Sequence, residues 1–180
     1  MYPTRRYRGR TFFGPFEPVD PADLAAVEAD LGGPLPPGYR ALLEAVNGGT
    51  AHYTIDIGGE PLGFELFSAA ALRREVPRRP PGADLMPIAA DGGGSLLFLA
   101  PDGRVVAFVH GLPAWTGRSP QDAMHEVAGD IEQYLDRLAL DDDTVELLWQ
   151  DAEDLEPDDE WRIAVETFLD AESQGWRNRF

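Results

Sequence analysis

Cysteine is absent from the 180 residues, which excludes disulfides, thiolate metal sites and a thiol nucleophile. That fits a reducing compartment. Lysine is absent too, and all fifteen basic residues are arginines, so no lysine exists to reach a bound phosphate. Together with abundant Ala, Gly and Pro, this bias points to a GC-rich bacterial gene. Long apolar runs are missing, and "SLLFLA" and "VVAFV" fall far short of a membrane span. The start "MYPTRRYRGRTFFGPF" is basic, but no apolar stretch with a small-residue cleavage site follows, so no signal peptide is expected. The expectation is a soluble, cytoplasmic protein.

What is present reads as globular, with 43% hydrophobic and 26% charged residues at a length that suits one domain. The net charge of −17 is unevenly placed. Through Ser119 there are 13 acids and 11 arginines, a net of −2, and from Pro120 onward 19 acids face 4 arginines, a net of −15. Such a field disfavours nucleic acid and anionic membranes and draws basic partners. A solvated acidic face that serves only solubility is the plain alternative. Arg5, Arg6, Arg8 and Arg10 lie among aromatics, a pattern known from nucleic-acid contacts. On so acidic a chain they are expected to pair with its own carboxylates or to stay mobile.

Along the chain, Asp20 predicts a helix N-cap, Pro21 suits the first helical position, and Gly32-Gly33 ends the stripe Leu24, Val27, Leu31. A second, short helix carries Tyr39, Leu42, Leu43 and Val46 between Pro36-Pro37 and Asn47-Gly48-Gly49, residues that tolerate left-handed backbone. Tyr53, Ile55 and Ile57 alternate as in a half-buried strand, and Ser68 caps a short helix through Glu75. "VPRRPPG" reads as a loop. Residues 96–100 and 104–109 form a hairpin around "PDG". From Ser119-Pro120-x-Asp122 a long helix is predicted, with Met124, Val127, Ile131, Tyr134, Leu135 and Leu138 on one face. Two more follow, over 144–155 and 158–174. The class is α+β, a mainly antiparallel sheet packed with helices.

No catalytic constellation emerges. "DGGGS" (91–95) precedes a strand and not a helix, so it reads as a turn and not as a phosphate cradle. His52, His110 and His125 share no metal-ligand spacing, with His125 placed in the helix that starts at Ser119. Ser95 lacks the G-x-S-x-G elbow. Asp141–Asp143 and "EDLEPDDE" (153–160) do not match a calcium loop, and they sit where carboxylates cap helices. Capping accounts for several of these acids but not for all nineteen. The expectation is therefore no catalytic residue, no metal and no cofactor.

The order of these pieces resembles the SMI1/KNR4 family, also called the SUKH superfamily. The resemblance is carried by Leu35-Pro36 before Tyr39, Asn47-Gly48-Gly49 after it, and Pro87-Ile88-Ala89 ahead of Asp91-Gly92-Gly93 and the hairpin. It spans roughly residues 19–138. It implies an α+β core, taken over 19–140; the basic segment over 1–18 and the acidic helical extension over 141–180 lie outside the resemblance, and the extension is expected to pack on the core in a single domain. It also implies a protein without catalysis. Bacterial members are mostly immunity proteins that neutralise toxins, often nucleases, and fungal relatives are regulatory interaction proteins. The motif residues transfer as scaffold.

The leading expectation is thus a cytoplasmic immunity protein whose partner is a protein, a basic toxin domain. The expected contact surface comprises Asp141, Asp142, Asp143, Trp149, Asp151, Glu153, Asp154, Glu156, Asp158, Asp159 and Glu160, with Trp161 as a second aromatic anchor. Core packing is the plain reading of both tryptophans. A regulatory or scaffolding module without a toxin partner is the alternative. An enzyme would require a concave pocket that holds His52 or His110 with a buried carboxylate.

Overall fold

The computed structural model describes residues 3–14, 16–78, 84–110, 124–173 and 175–179. Eight strands form one antiparallel sheet in chain order: β1 (Thr4–Tyr7), β2 (Arg10–Phe13), β3 (Gly49–Ile57), β4 (Glu60–Leu66), β5 (Met86–Ala90), β6 (Leu96–Leu99), β7 (Val105–Phe108) and β8 (His125–Ala128). Six α-helices lie in the described connections and after the sheet: α1 (Pro21–Leu31), α2 (Pro37–Ala45), α3 (Ala69–Glu75), α4 (Ile131–Arg137), α5 (Asp142–Glu153) and α6 (Glu160–Glu172). The fold is α+β. Among the described residues no helix is long and apolar enough to cross a membrane.

The helix punctuation works as the residue chemistry dictates. Asp20 accepts from the Ala22 N–H at 2.8 Å, a cap worth about 1 kcal/mol. Gly32, at φ +74°, ends α1 by donating to the Ala29 carbonyl, while Gly33 donates to that of Glu28. Ser68 caps α3 through the Ala71 N–H. The stretch after α3 opens as a 3-10 turn (Val76–Arg78) and not as plain loop, and residues 79–83 lie outside the described residues.

Adjacent residues of a strand point to opposite faces. Phe12 and Phe13 are both buried, as are Leu97, Phe98 and Leu99 on β6 and Val105, Val106 and Ala107 on β7, so these strands are covered on both sides. One continuous core runs from these strands into all six helices. The N-terminal arginines lie on or beside the β1–β2 hairpin, which their composition does not announce. Arg5 donates to the Ala45 carbonyl, Arg6 pairs with Glu172 at 3.1 Å, Arg8 pairs with Glu132 at 3.3 Å, and Arg10 donates to the Leu135 and Asp136 carbonyls.

One predicted element is corrected. Helical spacing over Met124–Val127 is not used, because His125–Ala128 is strand β8, paired with β7 through Val105↔Ala128 and Ala107↔His125. The open edge of β7 offers backbone hydrogen bonds that a local periodicity cannot match. The helix starts only at Ile131, where Asp130 accepts from the Gln133 N–H at 2.7 Å. His125 is accordingly a strand residue. Residues 119–123, the expected helix start, lie outside the described residues.

The crowded point of the fold lies between α2 and β3. Asn47, at φ +52°, accepts from the Ala69 N–H at 2.8 Å and donates to the Glu17 carbonyl at 3.0 Å, joining the start of α3 to the segment before α1. Gly49 has φ +93°, and a Cβ there would meet the Phe13 carbonyl oxygen at 2.6 Å and the Phe16 ring at 2.9 Å. Gly49→Ala combines backbone strain with a clash against backbone, and should cost about 2–3 kcal/mol in chemical denaturation. A loss below about 0.5 kcal/mol would show that the junction yields freely.

Candidate functional site

Two of the predicted contact acids are first of all helix caps. Asp141 starts α5 by accepting from the Thr144 N–H at 2.7 Å, and it also accepts from the Thr54 hydroxyl. Burial pushes its pKa up, but these hydrogen bonds outweigh burial and hold it below the ordinary carboxylate value. Asp159 starts α6, accepting from the Trp161 N–H at 2.8 Å and from that of Arg162. Asp142 pairs with Arg179.

The other predicted acids lie in solvent. Asp143 is exposed near the start of α5, and Asp151, Glu153, Asp154, Glu156, Asp158 and Glu160 are exposed at the α5–α6 turn and the helix ends that flank it. The arginines of this region are spent elsewhere. Arg162 pairs with Glu166 at 3.0 Å and donates to the Glu153 and Leu155 carbonyls, and Arg177 pairs with Glu166 and Asp170. Among the described residues the Glu153, Asp154, Glu156 and Asp158 carboxylates have no arginine partner.

Trp149 and Trp161 are half-buried and turned inward. The Trp149 ring lies 4.9 Å from that of Trp176, with the Arg162 guanidinium 5.4 Å from its centroid. Trp161 packs on Phe13 at 5.6 Å and on His52 at 5.8 Å. The large apolar side chains that face water here are Leu147 on α5, 62% exposed, and Ile163 on α6, 44% exposed. Each is a single residue off the buried stripe of its helix, a position with no signal in the sequence pattern.

The motif residues have structural positions. Leu35 is buried and its N–H donates to Glu28. Pro36 precedes α2, and the buried Tyr39 carries a hydroxyl whose pKa burial drives upward. Asp91 closes the β5–β6 turn by accepting from the Gly93 and Ser95 N–H groups at 2.7 and 2.8 Å, with Gly92 at φ +76°.

A feature invisible in the sequence lies on β3. Thr50 pairs with Glu65 and Thr54 with Gly63, so Ala51, His52 and Tyr53 oppose Phe64 alone. This bulge holds His52 at φ +50°, in left-handed backbone that histidine seldom adopts. Beyond it, β3 leaves β2, and Ala139 takes the vacated edge by exchanging two hydrogen bonds with Thr54, 2.8 and 2.9 Å. That bridge sets the start of α5 over the bulge. The result is a cleft of about 400 Å³ lined by Thr50, His52, Thr54, Glu65, Asp91 and Thr144, among others.

The imidazole borders a concavity, yet the carboxylates there are not buried: Glu65 is exposed and Asp91 is half-exposed. Among the described residues no hydrogen bond joins His52 to a hydroxyl or a carboxylate. Its ring packs edge-on against Phe13 at 4.8 Å, and burial lowers its pKa to about 4 against the opposing pull of Asp151. A base this weak, without a nucleophile attached, is poorly matched to acid–base work near neutrality.

The same shift makes His52 a stability element. The unfolded histidine takes a proton near pH 6.5 and the folded one only near pH 4. Its contribution is therefore present above pH 6.5 and is lost as pH falls through that window. After allowance for partial exposure the loss should amount to about 2 kcal/mol. Denaturation of wild type and His52→Asn, a residue that tolerates the left-handed backbone, should show this slope only in wild type. Parallel slopes would mean that the imidazole is solvated.

No curated protein matches the chain. The chain does match the SMI1 / KNR4 family (SUKH-1) over residues 18–137, two thirds of its length. That family is generally associated with immunity, with binding to protein toxins and with proteins that are not catalysts. The matched span contains Asn47, the β3 bulge and the six strands β3 to β8, up to the last turn of α4. By sequence and by fold, this chain belongs to the SMI1/KNR4 (SUKH-1) family.

Proposed function

We propose that the protein is a non-catalytic immunity protein that acts in the cytoplasm, where it binds and neutralises a basic toxin domain of nuclease type. The observation that carries this reading is the group of exposed carboxylates at the α5–α6 turn, Glu153, Asp154, Glu156 and Asp158, which the protein's own arginines leave unneutralised among the described residues. A nuclease presents cations for phosphates, and a carboxylate-rich exposed turn competes for them. Such complementarity acts chiefly on the rate of encounter and on the choice of partner. Leu147 and Ile163 supply apolar contact next to the charges, the place that Trp149 and Trp161 were expected to fill.

The test pairs the protein with the C-terminal domain of a large secreted protein encoded beside it. Co-expression should restore growth of a host that the domain alone kills, and the two proteins should co-purify. Persistent toxicity, or a harmless neighbour, favours the regulatory module without a toxin partner. In the complex, the fourfold variant Glu153→Gln, Asp154→Asn, Glu156→Gln, Asp158→Asn keeps both helix caps. It should slow association about tenfold at low salt and flatten its salt dependence. Unchanged association kinetics would remove the turn from the interface.

A further inference from the structure

We propose that the cleft at the β3 bulge receives an arginine or lysine side chain from the partner, gripped between Glu65, Asp91 and the hydroxyls of Thr50, Thr54 and Thr144. This deepens the reading above and rests on it for the partner's basic surface. Five elements converge on the cleft: β3, β4, the end of β5, the β5–β6 turn and the first turn of α5. Thr50 is paired in register with Glu65, and Glu65 with Ala90, so one sheet row sets a hydroxyl, a carboxylate and a small methyl side by side. The small Ala90 leaves space above the row. Asp91 follows immediately, its carboxylate fixed by two N–H donors.

The charge in the cleft is of one sign. Its described lining contains Glu65 and Asp91 but no arginine, and the imidazole of His52 is neutral at pH 7. Asp141 adds a third carboxylate through its contact with Thr54, and Asp151 lies near enough to His52 to act on its charge. These two acids, one on α5 and one at its cap, add negative charge beside the cleft. The lining is mixed, with Tyr53, Phe64 and Ala90 beside three threonines and two carboxylates, and that combination suits a cationic side chain with an apolar stem. The bulge is the device that opens it, since three residues opposing one part the backbones of β3 and β4 and turn His52 out of register. A backbone conformation of this kind is held only where the surrounding packing enforces it, and Phe13 and Trp161 supply that packing.

The test needs no identified toxin. The full chain, labelled with ¹⁵N, is titrated with Nα-acetyl-arginine amide and separately with sodium phosphate. Arginine amide should produce saturable shifts at the amides of Thr50, Thr54, Gly63, Glu65 and Gly92. Glu65→Gln should weaken that binding about three- to tenfold, while the fourfold α5–α6 variant should leave it within about twofold. Shifts that do not saturate, that spread instead over the α5–α6 turn, or that respond to phosphate more than to arginine amide would overturn the proposal. The two readings fail separately. Growth rescue without a saturable cleft shift rejects the socket alone, and saturable cleft binding without rescue rejects the immunity reading alone.

Discussion

The close passage of Gly49 over the Phe13 carbonyl is the constraint on which the rest of the molecule depends. A Cβ at 2.6 Å from that oxygen has no room, so β2 and β3 come together only because residue 49 has none. Their registered contact is the single pair Phe13↔Thr50. Asn47, two residues earlier, fixes the segments on either side by using both ends of its amide. An unmade hydrogen bond in this buried place costs about 1–3 kcal/mol, which makes the junction a point of leverage and not a passive turn. Once β3 is aimed by it, everything after Thr50 follows: the bulge at His52, the departure from β2 and the bridge to Ala139 that positions α5.

The charge asymmetry acquires meaning from this placement. Arg6 and Arg8 of the N-terminal hairpin reach Glu172 on α6 and Glu132 on α4, tying the first strands to the last helices across nearly the whole chain. Exposed pairs of this kind contribute little singly, and their effect is more on where the acids are satisfied than on stability. Glu166, Asp170 and Glu172 of α6 are matched by arginines, whereas four carboxylates at the α5–α6 turn are left to solvent among the described residues. A net charge gathered in the last third of the sequence therefore becomes a localised, outward-facing patch. The bulge cleft lies beside Asp141, the cap of α5, so negative charge borders that helix at its start as well as at its end.

Much of the secondary structure was legible because its determinants are local. The caps Asp20, Ser68, Asp141 and Asp159 each accept from N–H groups two or three residues ahead, a geometry complete within one turn of chain. The left-handed residues 47–49 and the hairpin around Pro101-Asp102-Gly103 are equally local. Where reading failed, the deciding partner was distant in sequence. His125–Ala128 carries helical spacing but pairs with a strand some twenty residues earlier. For Trp149 and Trp161 the sequence leaves core packing and surface anchoring both open, with core packing the plainer, and the rings of Trp176, Phe13 and His52 stand against them in the fold. The acids of the candidate surface were legible as charge and, in part, as caps, while which of them are spent in ion pairs was not.

Composition, punctuation and motif order by themselves determined the α+β class, the family and the concentration of negative charge in the last third, since each is a property of residue types and short spacings. Only the tertiary structure decided that three residues of β3 would oppose one of β4, that the N-terminal arginines would be consumed internally, and that carboxylates from β4 and the β5–β6 turn would border one cleft with a threonine of α5. The reason is physical. Backbone pairing, ring packing and charge neutralisation are settled between segments tens of residues apart, and such contacts leave no periodicity in any one of them.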